Sequence, residues 1–203
     1  MARIGIFDSG VGGLSVFKEI KKILPLSSYI YYGDNANCPY GIKGPNFILH
    51  RSVQIAEFLI SKKVDIIVIA CNTATSYAVD YLNDVYDVPF VGTVPGVKPA
   101  AKETSTGIIG VLATFGTLNA PLYNSIKETW GSNVTVLEHI GDGFVELVEN
   151  LEFSGDNAEE IITDEHSIKN GRLKKEPGKF RTKTIDLKNE LFKEIKQEIT
   201  SKP

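Results

Sequence analysis

Residues 65–75 read Asp65-Ile66-Ile67-Val68-Ile69-Ala70-Cys71-Asn72-Thr73-Ala74-Thr75. After Asp65 comes a short unbroken apolar run, the pattern of a strand buried on both faces of a parallel sheet. The run stops at Cys71, and Asn72 and Thr73 are residue types that cap helices. An apolar-periodic helix follows. The thiol of Cys71 therefore falls on the tight turn between a buried strand and a helix N-terminus. Unpaired N–H groups and the positive dipole end of that helix favour a thiolate there, which predicts a reactive cysteine rather than an inert one.

The same alternation of short apolar runs and helical patterns extends in both directions from this turn. Strand patterns occupy 4–7, 29–33, 65–70, 90–92, 107–113 and 134–137, and helical patterns lie near 14–23, 46–61, 73–86, 117–130 and 143–150. This is the signature of βαβ units, so the fold class is α/β, a parallel Rossmann-like sheet flanked by helices. A complete first domain is expected over 1–94, with the break in Thr93-Val94-Pro95-Gly96. A partial second α/β domain is expected over 95–150. Residues 151–203 form a divergent charged tail. Its first part, 151–183, is polar with scattered Gly and Pro and reads as loop. Its end carries Leu187, Leu191, Phe192, Ile195 and Ile199 at helical spacing, an amphipathic helix for which the first domain is a candidate packing surface.

Of the 203 residues, 42% are hydrophobic and 23% charged, the balance of a soluble globular chain with room for a real core. The net charge of −3 is unevenly spread. Residues 164–203 hold 11 Lys and Arg against 7 Asp and Glu, a net of +4, which leaves −7 on the remainder. The tail's lysines alternate with glutamates, which favours a solvated helix face over a nucleic-acid partner. Two cysteines make no disulfide framework, the N-terminus runs directly into a strand with no signal-peptide pattern, and no apolar stretch is long enough to span a membrane. The expected setting is the cytoplasm, with reduced thiols and no membrane partner.

In parallel sheets, functional residues collect at the carboxyl ends of the strands. Three unusual loops fall at that edge: 8–13, 34–41 and 71–75. The first, Asp8-Ser9-Gly10-Val11-Gly12-Gly13, could be taken for a dinucleotide fingerprint with Asp34 as the ribose acid. The spacing fails, because G-x-G-x-x-G from Gly10 requires glycine at Ser15. An acid ahead of the glycines would also repel a pyrophosphate, and an Asp–Ser pair better suits the ammonium and carboxylate of an amino acid. The second, Asp34-Asn35-Ala36-Asn37-Cys38-Pro39-Tyr40-Gly41, would alone be an ordinary Asx/Pro turn. Cys38 precedes a proline and lacks a helix N-terminus, so nothing marks it as activated. His50, His139 and His166 are dispersed, and no metal-ligand spacing joins them to the cysteines.

Taken together, the segments 4–14 (IGIFDSGVGGL), 32–41 (YGDNANCPYG), 69–75 (IACNTAT) and 111–117 (VLATFGT) resemble those of glutamate racemases, cofactor-independent members of the aspartate/glutamate racemase family, in order and spacing over about residues 1–150. The resemblance implies interconversion of L- and D-glutamate for peptidoglycan synthesis, by removing the Cα hydrogen on one face and replacing it on the other, with no cofactor and no metal. Two acid/base groups are needed, one protonated and one not. Cys71 matches the first of the family's two cysteines. Asp8, Ser9, Tyr40, Gly41, Asn72 and Thr73 match substrate-binding positions, Asp8 also as a proton-managing neighbour of Cys71. Glu149 matches an acidic helper from the second half. The implied partner is small-molecule glutamate, with a homodimer left open.

One segment departs from the family. Its second thiol lies in Gly-Cys-Thr-His at a strand end, and no such segment occurs here, nor any cysteine after residue 150. His166 sits in Asp-Glu-His-Ser with no strand before it, and Cys38 belongs to a first-half loop. Thr182-Lys183-Thr184-Ile185-Asp186 with Phe192 weakly resembles the family's closing segment, which would make the difference an internal one. With one thiol, only one Cα face is served. Two readings follow: a glutamate racemase with impaired turnover, or a non-catalytic relative that binds a small acidic amino acid or a regulatory partner.

Overall fold

The computed structural model describes residues 1–150. The expected tail helix lies outside the described residues, as does His166. Strands β1 (Arg3–Asp8), β2 (Ser28–Gly33), β3 (Ile66–Ile69) and β4 (Phe90–Gly92) form a parallel sheet in the order β2-β1-β3-β4. The chain is α/β, as the alternating pattern predicts.

Period-two alternation with both faces apolar places a core on each side of this sheet. Ile4 and Ile6 of β1, Ile66 and Val68 of β3 and Val91 of β4 share one side with Ile20 of helix α1 (Leu14–Ile23). Phe7, Ile67, Ile69 and Phe90 share the other side with Ile55, Ala56 and Leu59 of α2 (Pro45–Ser61) and with Ala74, Ala78 and Leu82 of α3 (Asn72–Val85). Pro45 opens α2 at its first turn, where a missing N–H costs nothing.

A second, two-stranded parallel sheet pairs β5 (Ile108–Ala113) with β6 (Thr135–Ile140). Its packed side holds Ile109, Val111 and Val136 against Val97 of α4 (Val97–Glu103) and Tyr123 of α6 (Pro121–Trp130). The Tyr123 hydroxyl donates to Glu138 at 2.6 Å, and Lys127 joins the same carboxylate at 2.8 Å. On the opposite side Ile108, Leu112 and Leu137 are each at least half exposed.

Two elements differ from the sequence pattern. Helix α4 is too short for its periodicity to register. The single helix expected over 117–130 is two pieces, α5 (Phe115–Leu118) and α6, because Pro121 cannot continue a helix and starts a new one instead. Helix α7 (Phe144–Glu149) completes the described chain. No described helix is long and apolar enough to cross a membrane.

Close approach of α3 to the end of β4 demands glycine at position 92. A Cβ there would collide with the methyl and hydroxyl of Thr75, which is itself only 1% exposed. Gly92→Ala should therefore destabilise the chain by about 1–3 kcal/mol through overpacking, read as a lower urea midpoint at unchanged slope.

Candidate active site

Register decides which loops meet. Asp8 is level with Gly33, and Phe7 is level with Ile69, so β1, β2 and β3 end side by side. The three loops singled out by sequence emerge together from that edge.

Cys71 caps α3 with extended backbone, and its sulfur accepts the Ala74 N–H at 3.4 Å, which is the expected helix-terminus contact. The thiol also donates to the Ser9 hydroxyl at 3.6 Å. Yet the net effect on its acidity opposes the sequence-based expectation. Burial and the neighbouring Asp8 charge push the Cys71 thiol up to about 11, outweighing the Ala74 and Ser9 contacts that favour the anion. The resting group is a protonated thiol. The sequence marks the helix end correctly but carries no measure of how completely the sulfur is desolvated.

Asp8 is buried and accepts the Gly13 N–H at 2.8 Å. Its carboxylate thereby occupies the N-terminus of α1, where a pyrophosphate would have to bind, in keeping with the failed dinucleotide spacing. A Cβ at Gly13 would come within 2.7 Å of Asp8 Cβ and 2.9 Å of Ala70 Cβ, so this turn closes only with glycine.

Glu149 reaches this loop from α7. Both of its carboxylate oxygens accept the Val11 N–H, at 2.9 and 3.2 Å, and the Asn35 amide donates to Oε2 at 3.2 Å. The side chain lies directly over Gly10, leaving no room for a Cβ. It ties the second sheet's end to two first-half loops.

Cys38 lies closer to this chemistry than its sequence context suggests. It is half-buried, shares the Ser9 hydroxyl with Cys71, and is close enough to feel the charges of Glu149 and Asp8. Burial first, then those carboxylates, push its thiol up to about 12. It is unactivated, as its sequence context predicts.

Tyr40 and Gly41 are both buried in a 3-10 turn over Tyr40–Ile42. Gly41 sits against the Thr114 side chain, where a Cβ would come within 2.6 Å of Thr114 Cβ. Thr73, at the start of α3, meets Thr114 and Thr117 across the same seam. The three hydroxyl oxygens form a closed ring at 3.0, 3.0 and 3.1 Å. Thr114 also caps α5 by accepting the Thr117 N–H at 3.3 Å. Tyr77 adds a bond to the Gly116 carbonyl at 3.0 Å. Asn72, by contrast, is exposed at the first turn of α3.

Sequence reasoning did not single out Thr114, Thr117 or Arg51. For the two threonines a signal existed, since Thr-x-x-Thr after a strand is the spacing of an N-cap and its N3 partner. Arg51, midway along an amphipathic helix, carries no comparable mark. His50 and His139 are both exposed.

Because the Cys71 thiol titrates near 11, its alkylation should accelerate with every pH step from 7 to 10 and show no plateau at the ordinary thiol range near 9. Iodoacetamide labelling of Cys71 followed by mass spectrometry measures this. A plateau below pH 8 would show an activated thiolate and contradict the burial argument.

Comparison with known proteins places this arrangement. Residues 4–167 match the family model for Asp/Glu/Hydantoin racemase. A glutamate racemase of Herpetosiphon aurantiacus is 40% identical over 159 residues, covering 78% of this chain and 63% of its own. One from Pseudomonas syringae pv. tomato is 45% identical over 149 residues, covering 73% and 54%. The crystal structure of Escherichia coli glutamate racemase, in complex with L-glutamate and the activator UDP-MurNAc-ala, superposes with a TM-score of 0.74 at 37% identity, covering 79% of this chain and 62% of that one. The chain thus spans between about half and just under two thirds of the length of these relatives. On these grounds the chain belongs to the Asp/Glu/hydantoin racemase family.

Proposed function

We propose that this chain carries the first half of a glutamate racemase site, with Cys71 as the acid/base group on one face of the substrate Cα. The observation that carries the reading is the placement of the Cys71 sulfur on the α3 N-terminus, 3.6 Å from the Ser9 hydroxyl and beside Asp8. The relatives named above support glutamate as substrate, since the E. coli protein is seen with L-glutamate bound.

The roles follow from charge and geometry. Asp8 and Ser9 face the substrate's ammonium and α-carboxylate. The ring of Thr73, Thr114 and Thr117 can turn its hydroxyl protons toward a carboxylate, with Gly41 against Thr114 and with Tyr40 and Asn72 next to Gly41 and Thr73 in the chain. As a protonated thiol, Cys71 is ready to deliver a proton to a Cα carbanion on its own face. To act as base it must first lose that proton, and the incoming ammonium charge favours the loss, as do the Ala74 and Ser9 contacts.

Glu149, with both oxygens engaged by Val11 and Asn35, serves in this reading by closing the site over Gly10. Cys38 does not replace the opposite base. It belongs to a first-half loop beside Ser9, and burial with the neighbouring Glu149 and Asp8 carboxylates holds its proton. The product, D-glutamate, would feed peptidoglycan synthesis in the cytoplasm.

In deuterated water, Cα deuterium should enter one glutamate enantiomer far faster than net racemisation seen by circular dichroism. Cys71→Ala should lower that entry by at least about a hundredfold, the loss typical of removing a positioned acid/base group. Exchange that persists in the variant would remove Cys71 from the site. Calorimetric binding of glutamate with no exchange of either enantiomer would instead identify a non-catalytic binder.

A further inference from the structure

Arg51 projects from the middle of α2 into the base of the 34–41 loop. Its Nε and Nη2 donate to the two oxygens of Asp34, each at 2.7 Å, and Nη2 also donates to the Tyr32 hydroxyl at 2.9 Å. Nη1 donates to Gln54 at 3.0 Å, which aligns the guanidinium along the helix. Asp34 is only 3% exposed and accepts two further bonds, from the Tyr40 hydroxyl at 2.7 Å and the Asn37 amide at 3.1 Å. Burial alone would raise the Asp34 carboxyl, but the bonds from Arg51, Tyr40 and Asn37 outweigh it and hold it below the ordinary range. A buried carboxylate with a two-pronged guanidinium is a rigid joint, because both partners are fixed in plane and in distance.

Tyr40 carries this rigidity to the site. Its hydroxyl is anchored on Asp34, its ring is 1% exposed, and the next residue is Gly41. Gly41 abuts the Thr114 side chain, and its carbonyl lies so close to Gly116 that a Cβ there would approach within 2.9 Å. Those contacts set where Thr114 and Thr117 stand relative to Thr73. A shift of the 40–42 turn would therefore open the hydroxyl ring, whose three bonds are all 3.0–3.1 Å.

We propose that Arg51 is a positioning residue: through Asp34 and Tyr40 it holds the Tyr40–Ile42 turn against α5 and so keeps the Thr73–Thr114–Thr117 ring assembled for a carboxylate ligand. The ligand part of this inference rests on the function proposed above. The mechanical part does not.

Two substitutions of the full chain test it. Arg51→Lys keeps the charge beside Asp34 but loses the fork, and Tyr40→Phe leaves the ion pair whole while cutting the hydrogen bond that links it to the turn. Both should raise amide hydrogen exchange across residues 113–119 by about tenfold while α2 stays protected. Both should also weaken glutamate binding in calorimetry by about tenfold at a temperature where the variants remain folded. Should Arg51→Lys fail to fold, Tyr40→Phe decides. Unchanged exchange at 113–119 in Tyr40→Phe overturns the proposal, and so does binding that follows global stability alone. Loosening at 113–119 in a protein whose wild type binds neither glutamate enantiomer sinks the carboxylate reading of the ring and leaves Arg51's hold on the seam established.

Discussion

The common level at which β2, β1 and β3 end is the constraint on which the site depends. Parallel pairing fixes Asp8 opposite Gly33 and Phe7 opposite Ile69, so the residues that follow each strand have to share one mouth. Register in such a sheet cannot slip by one residue without turning every core side chain to the wrong face. Ile4, Ile6, Ile66 and Val68 on one side and Phe7, Ile67 and Ile69 on the other hold it in place. The positions of Asp8, Asp34 and Cys71 thus follow from hydrophobic alternation several residues away from any of them.

Within that mouth the electrostatics are acidic, and the backbone deals with it by donating amides. Asp8 takes the Gly13 N–H, and Glu149 takes the Val11 N–H. The glycine-rich loop that looks made for a phosphate is therefore already filled by the protein's own carboxylates. Asp34 is handled differently, by a guanidinium and a phenol. The thiols bear the cost of this arrangement. Surrounded by carboxylates and removed from water, both Cys71 and Cys38 bind their protons more tightly than a free cysteine. An ammonium group in this mouth would offset part of that negative charge, which fits the proposed amino-acid ligand better than a nucleotide phosphate would.

Much of this was legible in the chain itself. The β-branched run before Cys71 and the capping residues after it locate the strand–helix turn, because both signals are local. Helix α4 and the break at Pro121 were not legible as elements, since a seven-residue helix and a proline between two helical patterns leave periodicity little to act on. Arg51 was invisible for a different reason: its partner Asp34 is 17 residues away, and nothing in either sequence neighbourhood announces the pairing. Cys71 shows the limit most clearly. Sequence reports the helix dipole beside the sulfur but not the burial and the Asp8 charge that outweigh it.

The second sheet shows how the seam beside the Cys71 loop is held among the described residues. Strands β5 and β6 pack Ile109, Val111 and Val136 onto α4 and α6, and this single layer is enough to fix Thr114 and Thr117 at the end of β5. From there the seam is made by short contacts: the hydroxyl ring, Tyr77 on Gly116, and Gly41 on Thr114. Each involves the first half directly. Among the described residues the other face of the same two strands makes none of these seam contacts, and its Ile108, Leu112 and Leu137 are exposed. A parallel sheet is ordinarily covered on both sides. The packed side of β5–β6 and the hydroxyl seam are thus one structure, joined to the first half through Thr114, Gly116 and Thr117.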